Sequence, residues 1–183
     1  GGGQFLKAIE DRLRSYGHSD KNIAQRVTGY AENYLDIGYT KKAMGVVSHM
    51  EVKKLNEIED MKFDTMIANP PYQNGKNSNF YMDFIRLSKE VVKDGGDIIF
   101  VVPNRFCMNG SKLTNLLNEF QLKHITWNAS SHFPNVGTFI GAYVATNKAN
   151  PDNTKVPVDF GSFTRDINFE TETLPPKPIN NEL

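Results

Sequence analysis

Asn69-Pro70-Pro71-Tyr72 sets three useful kinds of group side by side: an amide side chain, carbonyls with no adjacent N–H to compete with them, and an aromatic ring. Two consecutive prolines fix φ and delete two backbone donors, so the chain cannot continue a sheet ladder here and must turn as a stiff loop. The preceding Phe63-Asp64-Thr65-Met66-Ile67-Ala68 reads as a strand, and strand ends are where open α/β sheets hold their ligands. The Asn69 side-chain oxygen and the Pro70 main-chain carbonyl make a pair of acceptors. Aimed at the two N–H bonds of a planar amino group, they would draw its nitrogen toward tetrahedral geometry and free its lone pair. Tyr72 offers a face for a flat base, a contact worth about 1–3 kcal/mol per base on stacking platforms. The same four residues also suit an ordinary strand exit into a polyproline turn. What distinguishes this run is its setting: an apolar, acid-bearing strand before it, a Gly- and Asn-rich stretch over 73–78 after it, and then an amphipathic helix.

The elements that must position this corner follow from periodicity. Phe5, Leu6, Ile9 and Leu13 recur at helical spacing and stop near Tyr16-Gly17. Residues 26–33 read as a short strand ending in an acid, 34–44 as a helix, and 45–51 as a weak strand. After the corner, Phe80, Phe84, Leu87, Val91 and Val92 predict a helix over 79–92, with Phe80 and Phe84 chiefly core and Phe80 also near enough to the corner to face a bound base. A turn over 93–97 leads into Ile98-Ile99-Phe100-Val101-Val102, whose unbroken apolar run predicts a strand buried on both faces of a parallel sheet. Ser111 is an N-cap candidate for a helix over 111–120. Two further strands are expected at 124–127 and 138–146, joined by a polar loop. Beyond residue 148 five prolines interrupt the chain and no period is visible. The division expected is therefore a core over 1–148 and a proline-rich extension or linker over 149–183.

Composition bounds the classes. The chain has 183 residues, 39% hydrophobic and 23% charged, which suits a single globular domain. No apolar run approaches the roughly 20 residues of a membrane span, and no signal-like segment opens the chain, so a cytoplasmic setting is expected. One cysteine, Cys107, leaves no internal disulfide and no cysteine-based metal cluster. Lys plus Arg and Asp plus Glu are 21 each. A nucleic-acid partner would thus find its phosphate-binding surface in one patch, such as Lys41/Lys42 or Lys53/Lys54, or elsewhere altogether. Gly1-Gly2-Gly3 precedes the first helix, where glycines let backbone approach a ligand closely; a flexible tag remnant is the other reading. Glu32 ends a strand some 30 residues on, the place where dinucleotide-type folds bind ribose hydroxyls.

With these residues in view, the chain resembles the amino-group methyltransferases that use S-adenosylmethionine, whose motif is (Asn/Asp/Ser)-Pro-Pro-(Tyr/Phe/Trp). Gly1-Gly2-Gly3-Gln4-Phe5-Leu6 is similar to the second half of that family's glycine loop, and Gly29-Tyr30-Ala31-Glu32-Asn33 to its ribose-binding segment. Val102-Pro103-Asn104-Arg105-Phe106 and Phe133-Pro134-Asn135-Val136 resemble DNA adenine methyltransferases of restriction-modification systems, especially those with restriction and methylation in one chain.

The resemblance implies a Rossmann-like α/β fold, mostly parallel with a closing antiparallel hairpin, whose first strand lies upstream of Gly1. It implies Asn69, Pro70, Pro71 and Tyr72 as catalytic, and Gly1, Gly2, Gly3, Phe5, Glu32, Asn33 and Glu51 as cofactor-binding. Glu51 matches least well, since the family usually carries Asp followed by Phe or Leu. Phe80 and Arg105 are implied as substrate-binding, with a strand-cap role for Arg105 equally open. No metal is required, DNA with a flipped adenine is the implied partner, and a recognition domain or endonuclease is expected to accompany the chain. Methylation of an RNA base or of a release-factor glutamine uses the same motif, and a truncated non-catalytic binding module of the same fold is a third reading.

Overall fold

The computed structural model describes residues 3–31, 33–58, 60–72, 79–104, 111–133 and 137–172. The chain divides into two compact units, Gly1–Asp60 and Met61–Leu183.

In the first unit, α1 (Gln4–Ser15) and α2 (Asp20–Arg26) precede a strand, β1 (Thr28–Ala31). Helix α3 (Tyr34–Met44) then leads to β2 (His49–Val52), which pairs with β1 in parallel register, Tyr30 opposite Glu51 and Ala31 opposite Val52. The helix ends follow local chemistry. Gly17 and Gly45 adopt positive φ after α1 and α3, where a Cβ would be strained. Asn33 caps α3 by accepting from the Asp36 N–H at 2.9 Å. Helix α2, capped by Ser19, lies in a stretch without a readable helical period, because at seven residues it buries only Ile23.

The second unit holds β3 (Phe63–Ala68), α4 (Tyr81–Val91), β4 (Val92–Pro103), α5 (Lys112–Leu117), β5 (Gln121–Thr126), β6 (Ile140–Thr146), β7 (Val156–Asp159) and β8 (Thr164–Ile167). Its six strands form one sheet in the order β3-β4-β6-β5-β7-β8. Strand β3 is parallel to β4, and β6 is antiparallel to both β4 and β5. Strand β7 runs parallel to β5 and β8 antiparallel to β7. Consequently β3, β4, β5 and β7 all end at one edge of the sheet, and β6 and β8 begin there.

The expected closing antiparallel pair is present as β5 and β6. The apolar run 98–102 is buried as expected apart from Ile99, though its neighbours are parallel on one side only. The Phe100 and Tyr143 rings stack across β4 and β6 with centroids 5.7 Å apart. The expected turn over 93–97 is absorbed into β4 as an irregularity, with Phe63 opposite Val92 but Thr65 opposite Asp97. Gly96 is required there, since a Cβ would stand 2.7 Å from the Asp64 carbonyl oxygen.

Two expectations are corrected. Residues 149–172 are not a structureless linker: β7 and β8 extend the sheet. Asn153, buried, makes this possible by accepting from the Leu122 N–H at 2.8 Å and donating to the Phe120 carbonyl at 2.9 Å, and so fastens the segment before β7 to β5. Phe80 and Phe84 are not core residues. The buried face of α4 is Tyr81, Met82, Ile85, Leu87, Ser88 and Val91, while Phe80 and Phe84 are half-buried and meet edge to face at 5.4 Å. No helix among the described residues is long and apolar enough to cross a membrane.

Candidate active site

Strand β3 delivers the chain to Asn69 at the carboxyl edge of the sheet. Asn69 is exposed, Pro70 is buried and Pro71 is exposed, so the first proline anchors the corner while the amide stands free of the core. Tyr72 folds back over it. Its hydroxyl donates to the Asn69 side-chain oxygen at 3.2 Å. Its ring lies against a cluster of Val101, Ala129 and Ile140 that Phe133 and Ala142 also join, and meets Tyr81 edge to face at 6.3 Å. The Tyr72 ring is half-buried, because the closing strands supply apolar surface for it. Burial pushes the phenol above its ordinary pKa, so it remains a donor at neutral pH. At the end of β4, Asn104 donates its backbone N–H to the Phe139 carbonyl at 3.0 Å, which ties the neighbouring strand end to the start of β6.

The cofactor candidates lie in the first unit. Gly3 has φ 74°, precedes α1 and accepts from the Lys7 N–H; a Cβ there would stand 2.2 Å from Thr40 Cγ2 of α3. Only glycine fits. Phe5 is exposed. Asn33 uses its oxygen on the α3 cap and its amide nitrogen on the Asp36 carboxylate at 3.0 Å, which gives it a structural task. Glu51 is also engaged: one oxygen contacts His49 Nε2 at 2.8 Å and the other Lys53 Nζ at 3.1 Å. The His49 and Lys53 hydrogen bonds hold its carboxyl below the usual range. His49, Glu51 and Lys53, at every second position along β2 and just past its end, form this cluster, a spacing legible in the sequence. Tyr34 and Leu35, at the first turn of α3, are 79% and 85% exposed. Gly1, Gly2, Glu32 and Arg105, together with Cys107, lie outside the described residues.

Sequence reasoning missed Glu10. Fully buried on α1, it accepts at one oxygen from the Val47 N–H (2.9 Å), the Ser48 N–H (2.8 Å) and the Ser48 hydroxyl (2.5 Å), and at the other from Arg14 at 3.0 Å. Burial by itself would raise its pKa, but the Ser48, Val47 and Arg14 bonds together outweigh that and hold it low. Its burial carried no signal in the sequence: the Arg14 pair is an ordinary i,i+4 surface spacing, and the Val47 and Ser48 groups that bury the other oxygen are 37 and 38 positions away.

A sequence profile of the family described as Eco57I restriction-modification methylase matches residues 7–133. The type II methyltransferase M.BsuBI of Bacillus subtilis is 29% identical over 97 residues, which cover 43% of this chain and 19% of that protein. Among solved structures, a chain from work on complex assembly and conformational transition of the type I R-M system aligns with a TM-score of 0.64 at 13% identity, over 84% of this chain and 37% of that one. The M protein of the type I restriction enzyme EcoKI aligns with a TM-score of 0.60 at 16% identity, over 81% and 39%. At these identities the structures share the fold. The chain spans about a fifth of the curated relative and less than two-fifths of these structural ones.

Proposed function

The chain belongs to the Eco57I restriction-modification methylase family, and from that premise we propose that it methylates the exocyclic N6 amine of adenine in DNA, with S-adenosylmethionine as donor. The observation that carries this reading is the exposed Asn69 amide, set on a double-proline corner at the sheet's carboxyl edge with its oxygen held by Tyr72. In this reading the Asn69 oxygen and the Pro70 carbonyl accept the two N–H bonds of the amine, and the partly exposed Tyr72 ring stacks on the base. The base must leave the duplex to reach them. When bound, the cofactor supplies a methyl group on a good leaving group, so what the chain's own residues contribute is alignment and exclusion of water. Gly3 gives backbone close approach beside α1, Phe5 and the exposed Tyr34 and Leu35 suit an apolar face for the cofactor's adenine, and Glu32 is assigned its ribose. Glu51 can join them only by giving up His49 or Lys53.

The balanced charge, 21 cationic against 21 anionic residues, assigns most phosphate contact to a recognition domain or partner of a restriction-modification assembly. The test is labelled methyl transfer to DNA by the full-length protein, with the modified nucleoside identified. Asn69→Ala should lower the rate by about 10²–10³, the usual effect of removing one polar group that stabilises developing charge, with cofactor affinity nearly unchanged. Survival of methyl transfer at the parental rate, or label on a group other than the adenine amine, would overturn the proposal.

A further inference from the structure

A ring that serves as a stacking face must hold its plane, and Tyr72 belongs to a loop rather than to a helix or strand. Among the described residues three contacts bear on it. Its hydroxyl donates to the Asn69 side-chain oxygen at 3.2 Å. Its ring lies against Val101, Ala129 and Ile140, and the Tyr81 ring meets it at 6.3 Å between centroids with the two planes at 89°. That is the edge-to-face arrangement that aromatic quadrupoles favour. An incoming amine competes for the first contact, because it is drawn to the same oxygen; it does not compete for the other two.

Tyr81 is the more rigid partner of the pair. It opens α4, where the Asn79 carbonyl accepts from the Met82 N–H at 2.9 Å and the Phe80 carbonyl from the Asp83 N–H at 3.0 Å. It shares the buried face of the helix with Ile85 and Ser88, and none of the three is more than 3% exposed. Tyr81 therefore cannot follow Tyr72 if that ring turns. A buried tyrosine at a helix start ordinarily serves packing alone. What sets this one apart is that the ring it meets is only half-buried and is bonded to the exposed Asn69.

We propose that Tyr81 is a positioning residue for methyl transfer: its ring fixes the plane of Tyr72, and with it the orientation in which the target base meets the Asn69 oxygen and the Pro70 carbonyl. The inference rests on the reading of the Asn69 corner as the site of base methylation. Transfer needs the accepting nitrogen, the methyl group and its leaving group in line, and a base that rocks with its platform spends less time so aligned. Tyr81 is assigned no contact with base or cofactor and acts through Tyr72. Losing its ring should thus lower kcat more than it raises KM for DNA, because the base still finds a ring to stack on but not one held in a single plane. Cofactor affinity, whose candidate residues lie in the first unit, should not change.

The experiment is a double-mutant cycle on the full-length protein, with labelled methyl transfer to DNA as the rate measurement. Tyr81→Leu and Tyr81→Met each keep an apolar side chain in the core and remove the ring; each should lower kcat by about 2- to 12-fold, the worth of one edge-to-face aromatic pair. In a Tyr72→Ala background the same changes should have no further effect beyond about 1.5-fold. Tyr81→Phe, which keeps the ring edge, should retain the parental kcat. The fluorine resonance of 3-fluorotyrosine incorporated at position 72 should broaden or shift in Tyr81→Leu and match the parent in Tyr81→Phe. Losses that persist in full in the Tyr72→Ala background, a fluorine resonance that does not respond, or an equal loss of kcat in Tyr81→Phe would each overturn the proposal. The fluorine measurement needs neither DNA nor methyl transfer, which keeps two failures apart. A resonance that responds to Tyr81→Leu, in a protein whose Asn69→Ala variant transfers methyl at the parental rate, removes the catalytic reading and the positioning role with it, while the contact between the rings stands.

Discussion

Tyr72 is asked to do two things, and its surroundings set how far each can go. Its ring is lodged against Val101, Ala129 and Ile140, and its hydroxyl occupies the Asn69 oxygen that the proposed amine would need. The amide oxygen carries two lone pairs, so a substrate amine either bonds the second or exchanges with the Tyr72 hydroxyl, a swap of one hydrogen bond for another that is small in net free energy, on the order of 1 kcal/mol. Tyr72→Phe keeps the ring and frees the acceptor, so methyl transfer should stay within about fivefold of the parent. Tyr72→Ala removes the stacking face and opens space beside the cluster, and should reduce kcat/KM by about 5- to 100-fold. Steady-state kinetics on both variants checks the pair; equal losses would place the hydroxyl, not the ring, in the reaction.

Helix α1 is held to the loop before β2 by a carboxylate. Glu10 satisfies two backbone N–H groups and a hydroxyl that are otherwise buried, so Glu10→Ala strands them and should destabilise the protein by about 2–4 kcal/mol. The pH dependence has a definite sign. Because the folded-state pKa lies below the unfolded value of about 4.3, the ion contributes its full stabilisation above that pH. The contribution declines as pH falls toward the folded value and is gone beneath it. Denaturant titrations from neutral to acid pH should show this limb in the parent and a flatter one in Glu10→Gln. An identical acid limb in the variant would mean that other carboxylates carry it.

Across the second unit, the sheet grows past its expected edge because buried amides fasten distant segments. Asn147 donates to the Lys89 carbonyl at 3.0 Å and the Val92 carbonyl at 2.7 Å, binding the end of β6 to the beginning of β4. Asn153 does the same for the approach to β7. Asn153→Ala leaves the Leu122 N–H and the Phe120 carbonyl unpaired in the interior, at a cost of about 2–3 kcal/mol. Hydrogen exchange should then speed up across β7 and β8 before it does across β3 and β4, because the pinning is local to that edge. Exchange that accelerated uniformly would show the hairpin to be integral to the whole sheet.

What was legible in the sequence was whatever depends on neighbours a few positions apart. The double proline dictates a corner regardless of what surrounds it, since φ is fixed within the residue itself. Ser111 was readable as a cap and does accept from the Thr114 N–H at 3.0 Å; the α4 period and the 98–102 strand were readable for the same reason. The tertiary structure alone decided the rest. Insertion of β6 between β4 and β5, the half-burial of Tyr72, and the recruitment of β7 and β8 all rest on contacts between segments far apart in sequence. Such contacts are selected by which strand edges and buried polar groups still need partners once the chain has collapsed, and no local period records that.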